Sequence, residues 1–106
     1  MRPSNPVYGP SEVQAARKYY LLSCHRYFTF KGSEKYEESL ILTLTHDGGA
    51  IRFDFTDLST NDVHTLDNPA SGEYEIPLKK GAKTKLVITA SKAIGAYKIE
   101  KRTIED

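Results

Sequence analysis

Alternation of apolar and polar residues at every second position is the feature that most constrains this chain. It runs over residues 40–45, 51–56, 74–79, 85–90 and 97–100. Successive side chains of a strand point to opposite faces, so a period of two gives each segment one buried and one solvated face. The pattern predicts a mainly β fold of antiparallel strands, because antiparallel sheets commonly keep one face in water.

Two glycine-containing turns divide these segments. Asp47-Gly48-Gly49 separates residues 40–45 from residues 51–56, and Lys80-Gly81 precedes the strand at residues 86–90. Glycine adopts positive φ without steric cost, so each turn predicts a β-hairpin. A break at residues 91–95 precedes a last strand near residues 97–99.

Two further segments are predicted from proline and from turn residues. Pro77 cannot donate to a ladder, so its strand is expected at an edge or at a bulge. Residues 57–71 are rich in Asp and Asn and are predicted to be a long loop with a short strand near residues 63–66. A polar loop opened by Gly32 is expected at residues 31–38.

The N-terminal third contains sequence signals for an extended arm, a helix and a strand. Residues 1–10 contain three prolines and a glycine, which predicts an extended arm ahead of a single domain at residues 11–106. Ser11-Glu12-Val13-Gln14 has the form of a capping box, so a short helix is expected from about Ser11 to Lys18. From about Leu21 to Phe30 the aromatic alternation predicts a strand.

Six or seven short strands joined by Gly, Asp and Asn turns indicate a small antiparallel β-sandwich, jelly-roll-like, or a small barrel. A strongly twisted sheet crossed by one helix is the alternative. A length of 106 residues fits one domain, and 39% apolar with 27% charged residues is typical of a soluble globular protein.

The net charge and the cysteine content exclude several classes of protein. A net charge of +1 provides no bulk field for nucleic acid or membranes, and no apolar run approaches the ~20 residues that span a bilayer. Cys24 is the single cysteine, so no intramolecular disulfide can form. A lone thiol and the lack of an apolar leader predict a cytoplasmic protein.

The last third has a recognisable cadence of glycines and alternating apolar residues. It reads Gly72-x-Tyr74-x-Ile76-x-Leu78-x-x-Gly81, then Leu86-x-Ile88, then Gly95-x-Tyr97-x-Ile99. This cadence resembles the closing strands of bacterial jelly-roll accessory domains, such as pre-peptidase C-terminal and carbohydrate-binding-like modules. The resemblance covers residues 39–100 and implies a non-catalytic binding role, with glycans among the ligands. It carries over no functional residues.

Thiol and imidazole chemistry finds little support in the spacing of these residues. Cys24 and His25 are neighbours on a predicted strand, so they point to opposite faces and cannot form a nucleophile–base pair. His25, His46 and His64 lie far apart in a chain with one thiol, without zinc-site spacing. The prediction is therefore no enzyme, no metal and no cofactor.

Acidic residues between positions 33 and 75 leave two alternatives open. The segment at residues 54–68 offers hard oxygen ligands that Ca²⁺ prefers, although the spacing of an EF-hand is absent. Asp and Asn also serve as ordinary turn residues.

The basic end of the chain raises a separate question. Residues 76–102 are rich in lysine, and Lys83, Lys85 and Lys98 are candidate nucleic-acid contacts. Acidic and basic strands either form two opposed surfaces or lie side by side and pair across the sheet.

Tyrosines supply the candidate binding surface. Tyr19, Leu21 and Tyr27 share the parity that faces away from the presumed core, and Tyr36 lies in a loop beside them. Exposed aromatic patches are typical of binding surfaces, but a two-sided core would bury the strand residues. The predicted site residues are Tyr19, Tyr27, Tyr36, Lys83, Lys85 and Lys98.

These features predict a non-catalytic binding module. Its partner is expected to be either another protein or a glycan. With a protein partner, the domain would act as an inhibitor or adaptor, including one carried by a phage. The alternative is a nucleic-acid-binding domain that uses the lysine-rich C-terminal strands. A small enzyme would need clustered titratable groups in a cleft, and the sequence offers no such cluster.

Overall fold

The computed structural model describes residues 7–105, with side chains for residues 11–104. Five strands make up this part of the chain: β1 (Val7–Lys31), β2 (Glu38–Asp57), β3 (Val63–Asp67), β4 (Gly72–Leu78) and β5 (Lys83–Glu105). No helix occurs among the described residues, so none is long and apolar enough to cross a membrane. The fold is mainly β, as the alternation predicts.

All strands belong to one antiparallel sheet. Its order is β1-β5-β2-β3, and β4 also pairs with β2. Both β3 and β4 use the edge of β2 that β5 leaves open: β3 pairs with residues 52–56 and β4 with residues 38–44. The two short strands therefore follow one long strand in succession, separated by residues 68–71.

The three long strands bend sharply at one level. A straight strand of 25 residues would extend for about 80 Å, whereas the longest dimension of the molecule is 48 Å. Register shifts fall between Tyr19 and Cys24 in β1 and between His46 and Ala50 in β2. In β5, Lys92 has a φ of 49° at the same level. A bulge bends and twists its strand, so aligned bulges fold the whole sheet over on itself.

Folding produces two layers around one core. The β3 layer contains β3 with residues 22–31, 50–57 and 83–91, and the β4 layer contains β4 with residues 7–19, 38–46 and 93–105. Phe53 of the first layer meets Tyr97 of the second edge-on, with ring centroids 6.4 Å apart. The domain is thus a small antiparallel β-sandwich whose layers share their strands.

Alternate positions of the strands supply the core. Phe53, Leu42, Ile88 and Ile99 are fully buried, and burying each such side chain contributes roughly 1.5–3 kcal/mol. The inner faces predicted for residues 40–44, 51–55, 74–78 and 86–90 are confirmed. So are the short strand near residues 63–66, the loop after Gly32 and the edge position of Pro77 in β4.

The predicted helix from Ser11 to Lys18 is wrong. These residues lie in β1 and pair with β5 from Arg102 to Ala96. The Ser11 hydroxyl donates to Glu100 across the sheet, 2.9 Å away, instead of capping a helix. Long-range pairing therefore outweighs a local capping signal. Residues 7–10 belong to the same strand, and residues 1–6 of the predicted arm lie outside the described residues.

Both predicted hairpins are also wrong, for two different reasons. Asp47-Gly48-Gly49 is a bulge inside the continuous strand β2, where Gly49 has a φ of 71° and an added Cβ would overlap the Lys92 carbonyl. Lys80-Gly81 connects β4 to β5, but those strands pair with β2 and not with each other, because the connection crosses between layers. Likewise, the expected break at residues 91–95 is a bend within β5.

Candidate functional site

One surface of the β3 layer brings an aromatic ring together with three lysines. The register places Tyr27 beside Val87, Thr29 beside Lys85, and Lys31 beside Lys83. All of these positions face away from the core, since the alternate positions Leu86 and Ile88 are buried. We call this surface the Tyr27 patch, and its members are Tyr27, Thr29, Lys31, Lys83, Lys85 and Val87.

Tyr27 is the aromatic centre of the patch. Its side chain is 63% exposed, and the Lys85 Nζ lies 5.0 Å from its ring centroid. A lysine ammonium at this distance is attracted to the negative face of the ring by about 0.5–1 kcal/mol at an exposed site. The contact holds the ring and the cation next to each other, so that a ligand meets both together.

The lysines of the patch form no ion pair within residues 11–104, although Asp54 lies opposite Val87 and Lys31 lines a groove with Glu34 and Glu38. Among residues 11–104, no carboxylate lies within 4.0 Å of Lys31, Lys83 or Lys85. Lys31 and Lys83 are moreover directly opposite each other on adjacent strands, and like charges in that position are destabilising. An anion bound between them would relieve this repulsion.

Lys98 is separated from the other two predicted lysines. It lies on the outer face of the β4 layer beside Thr43, and its Nζ is 3.3 Å from the Glu100 carboxylate. Lys79 and Lys101 likewise pair with Asp57 and Glu38. The Lys101–Glu38 pair joins neighbouring strands and follows the interleaved alternative, in which acidic and basic strands lie side by side, whereas the Lys98–Glu100 pair lies within β5. The Tyr27 patch departs from the interleaved alternative.

The prediction that Tyr19 is exposed is wrong. Its side chain is 8% exposed, and its ring centroid is 5.9 Å from that of Tyr97 inside the core. The bulge between Tyr19 and Leu22 inserts an extra residue, which reverses the parity of β1 at the bend. Tyr20 is 76% exposed in its place, and Leu21 adopts a φ of 53°.

Tyr36 is exposed but stands apart from the sheet surface. It lies in the loop after β1, with 58% of its surface open to solvent. The backbone N–H groups of Lys35 and Tyr36 both donate to the Ser33 hydroxyl. This local hydrogen bonding sets the course of the loop, and it makes Tyr36 an exposed tyrosine outside the patch.

A groove between β3 and β4 is one of several concave features of the described residues. Its volume is about 340 Å³, and Phe55, Val63, Ile76 and Pro77 form an apolar part of its lining. Polar lining comes from Asp57, Asp62, His64, Glu75, Lys79 and Thr84. The groove exists because β3 and β4 belong to different layers and leave the side of the sandwich open between them.

Two acidic residues at the rim of this groove, Asp57 and Asp62, accept hydrogen bonds from residues of the turn between β2 and β3. Asp57 accepts from the Ser59 hydroxyl at 2.6 Å and the Ser59 N–H at 2.9 Å, and these bonds, with Lys79, lower the pKa of its carboxyl group. Asp62 accepts from the Thr60 hydroxyl. A carboxylate with a lowered pKa is a poor general acid at neutral pH. Within the described residues, no group of three His, Cys, Asp or Glu side chains could hold a metal ion.

Cys24 and His25 occupy opposite faces of β1, as the alternation predicts. The Cys24 side chain packs half-buried against the core, while His25 is exposed with its Nδ1 3.5 Å from the Thr89 hydroxyl. No thiol–imidazole pair is formed by these two residues.

His46 has a structural position that the sequence did not indicate. Its Nδ1 lies 2.8 Å from the Pro69 carbonyl and its Nε2 lies 3.1 Å from the Gly49 carbonyl. Each ring nitrogen that carries a proton donates to one of these oxygens. The imidazole therefore links the β2 bulge to the segment between β3 and β4.

Sequence reasoning found Tyr27, Lys83 and Lys85, but it missed Lys31 and the association of all four. Their proximity comes from the register between β1 and β5, whose ends are far apart in the chain. The chain matches no protein-family model, and no curated protein is similar to it in sequence.

Proposed function

We propose that this domain is a non-catalytic binding module that recognises an acidic protein partner through the Tyr27 patch. The observation that carries the proposal is the exposed Tyr27 ring next to Lys85, on a surface where Lys31 and Lys83 have no carboxylate within 4.0 Å among residues 11–104. Tyrosine is enriched among the residues that dominate binding energy at protein interfaces. Partner carboxylates would also relieve the repulsion between the facing lysines.

Two features support a binding role over a catalytic one. The rim carboxylate Asp57 is held ionised by Ser59, which disfavours proton donation at neutral pH. Cys24 and His25 point to opposite faces, so they do not assist each other. An inhibitor or adaptor needs a surface and not a reacting group, and we propose that the domain acts in this way in the cytoplasm.

Nucleic-acid binding is the second candidate, and one observation favours it. An exposed ring inside a cationic surface is the combination that single-stranded nucleic acids use for stacking and phosphate contact. The patch, however, offers one exposed ring and three lysines, whereas tight nucleic-acid binders neutralise roughly 6–10 phosphates. A glycan ligand, as the jelly-roll resemblance implies, would stack on Tyr27 but has no use for the lysines.

The test is affinity capture from a lysate of the native host, with the wild-type protein and three variants at matched concentration. Tyr27→Ala removes the ring, and Lys83→Glu with Lys85→Glu reverses the charge of the patch. Tyr36→Ala is the control, because Tyr36 has similar exposure, 58% against 63%, but lies outside the patch. Thermal unfolding of each variant checks that the fold is retained.

The proposal expects a partner that wild type and Tyr36→Ala retain and that both patch variants lose. Loss of Tyr27 as an interface anchor should weaken the complex by at least about 2 kcal/mol, or roughly thirtyfold in Kd. Equal recovery by all variants would contradict the proposal. Binding of a fluorescent oligonucleotide that weakens steeply with salt would favour the nucleic-acid alternative instead.

A further inference from the structure

The edge strand β1 has a regular segment and an irregular one. Within residues 7–105, β1 pairs with β5 alone, so one side of its backbone is open. Register shifts interrupt the ladder at four points before Cys24, and Pro10 lies in the same half. From Cys24 to Lys31 the pairing with β5 is continuous. Bulges and proline blunt the edge of a sheet, so residues 24–31 are the regular part of this edge. At the end of this segment, the Lys31 carbonyl already accepts a hydrogen bond from the Lys101 Nζ, 2.8 Å away.

The charge of this segment restricts what can pair with it. Arg26 is exposed toward one face and Lys31 toward the other, and no Asp or Glu occurs in β1 from Val13 to Lys31. The Arg26 guanidinium lies 5.9 Å from the centroid of the Phe28 ring, which orients the cation along the edge. If a second copy of β1 paired with this segment, Arg26 and Lys31 would lie next to the same cations of the other copy. This repulsion disfavours self-pairing.

We infer that the acidic partner binds by adding an extended strand to residues 24–31 of β1. This inference rests on the proposed function and specifies its mode. In such an addition, main-chain hydrogen bonds supply affinity and alternate side chains supply specificity. The added strand lies next to Tyr27, so alternate residues of the partner contact the patch while the others face Arg26.

The probe for the test is a blocked heptapeptide of alternating Glu and Val, titrated into the full-length protein. Amide hydrogen exchange, read residue by residue by NMR, reports on the backbone of residues 24–31. In the free protein, alternate amides of an edge strand point to solvent and exchange fast. Bound peptide should slow those amides by about tenfold or more, because they become hydrogen-bonded.

Two control peptides and two protein variants sharpen the result. A peptide with Lys in place of Glu tests the charge, and one with Pro in place of Val tests the backbone pairing, because proline lacks the N–H. Lys83→Glu with Lys85→Glu should abolish protection by the acidic peptide, whose glutamates face the Tyr27 patch, and confer protection on the lysine peptide. Lys18→Glu, an exposed residue of β1 outside the regular segment, should change neither.

The outcomes separate the inference from the proposed function. Alternating protection confined to residues 24–31, lost with the proline peptide, supports strand addition. Peptide binding that depends on Tyr27 but leaves these amides unprotected overturns strand addition and retains the proposed function. Absence of any protection at millimolar peptide also overturns the inference, while the capture experiment judges the proposed function independently.

Discussion

Gly95 lies so close to Thr45 on the neighbouring strand that a Cβ on Gly95 would overlap the Thr45 carbonyl oxygen. The two residues meet at the bend that folds the sheet, and Gly95 has a φ of 151°. Both the backbone conformation and the available space therefore require glycine here. The closure of the two layers depends on this contact, because β5 is central in both of them.

Gly95→Ala is expected to lower the free energy of unfolding by about 3 kcal/mol or more, since a clash with backbone cannot be relieved by a rotamer change. Gly72 is the matched control: its φ is 156°, yet a Cβ there would meet no atom within 4 Å. Gly72→Ala should cost only about 1 kcal/mol for the backbone conformation. Denaturant unfolding curves measure both, and equal costs would mean that the clash is unimportant.

Tyr19→Phe is expected to leave stability unchanged or to raise it by up to about 1 kcal/mol, because the buried Tyr19 hydroxyl has no hydrogen-bond partner among the described residues. Tyr74→Phe makes the contrast, since the Tyr74 hydroxyl donates to the Ala70 carbonyl at 2.6 Å. Its loss should cost about 1 kcal/mol. Chemical denaturation measures the free energy of unfolding of both variants. A clear decrease for Tyr19→Phe would contradict the expectation that the Tyr19 hydroxyl does not stabilise the fold.

Alkaline pH provides an independent measurement on Tyr19. Burial raises the pKa of its phenol, with Tyr97 and Asp47 adding to the effect, so the unfolded chain ionises first as the pH passes the ordinary value of 10.0. Stability is therefore complete below that pH and falls as the pH rises toward the higher pKa of the folded state. The decline should be shallower in Tyr19→Phe than in the wild type.

His46→Ala is expected to lower the free energy of unfolding by about 1–3 kcal/mol, since the variant loses the imidazole N–H that donates to one of the two carbonyl oxygens at the bend, Pro69 or Gly49. His64→Ala, at an exposed position of β3, should change it by less than about 0.5 kcal/mol. Hydrogen exchange should also show faster opening near residues 68–71 in His46→Ala alone. Identical exchange rates near residues 68–71 in both variants would argue against a stabilising contact of His46 at the bend.

Ser11→Ala tests the link between β1 and β5 in the β4 layer. The Ser11 hydroxyl hydrogen bond, followed by Lys98, lowers the pKa of the Glu100 carboxyl below its ordinary value of 4.5. The stabilisation is therefore present above that pH and is lost as the pH falls through the lower pKa of the folded state. Ser11→Ala should cost at most about 1 kcal/mol at pH 7. The difference from wild type should vanish near pH 2, as acid unfolding curves would show.

The apolar alternation predicted the strands and their faces wherever a strand runs straight. Residues 51–55 and 86–90 have the predicted inner and outer faces because the side-chain period of a strand follows from its backbone alone. In residues 40–44 the inner face is as predicted, but Ile41 on the predicted outer face is also buried, with 2% exposure. Pro77 likewise indicated an edge strand or a bulge, since its missing N–H cannot donate to a ladder. These features are local, so the sequence determines them without knowledge of the partner strand.

The bend was decided by tertiary structure. Nothing near Tyr19 marks the bulge that turns its side chain into the core, because the bulge arises from the register of β1 against β5. Asp47-Gly48-Gly49 has the composition of a hairpin turn, yet continuous pairing with β5 keeps β2 a single strand. An extra residue in one strand reverses the facing of every residue beyond it, so a local pattern cannot anticipate which tyrosine is exposed.

The candidate site divides in the same way. The sequence by itself placed Lys85 on a solvent-facing position of a strand, through its alternation with buried neighbours, and it named Tyr27 and Lys83 as candidates without deciding their exposure. Only the tertiary structure brought Lys31 and Lys83 opposite each other and left Lys98 in the other layer, paired with Glu100. The physical reason is that parity is a property of one strand, whereas adjacency requires two strands that pair across a long separation in the chain.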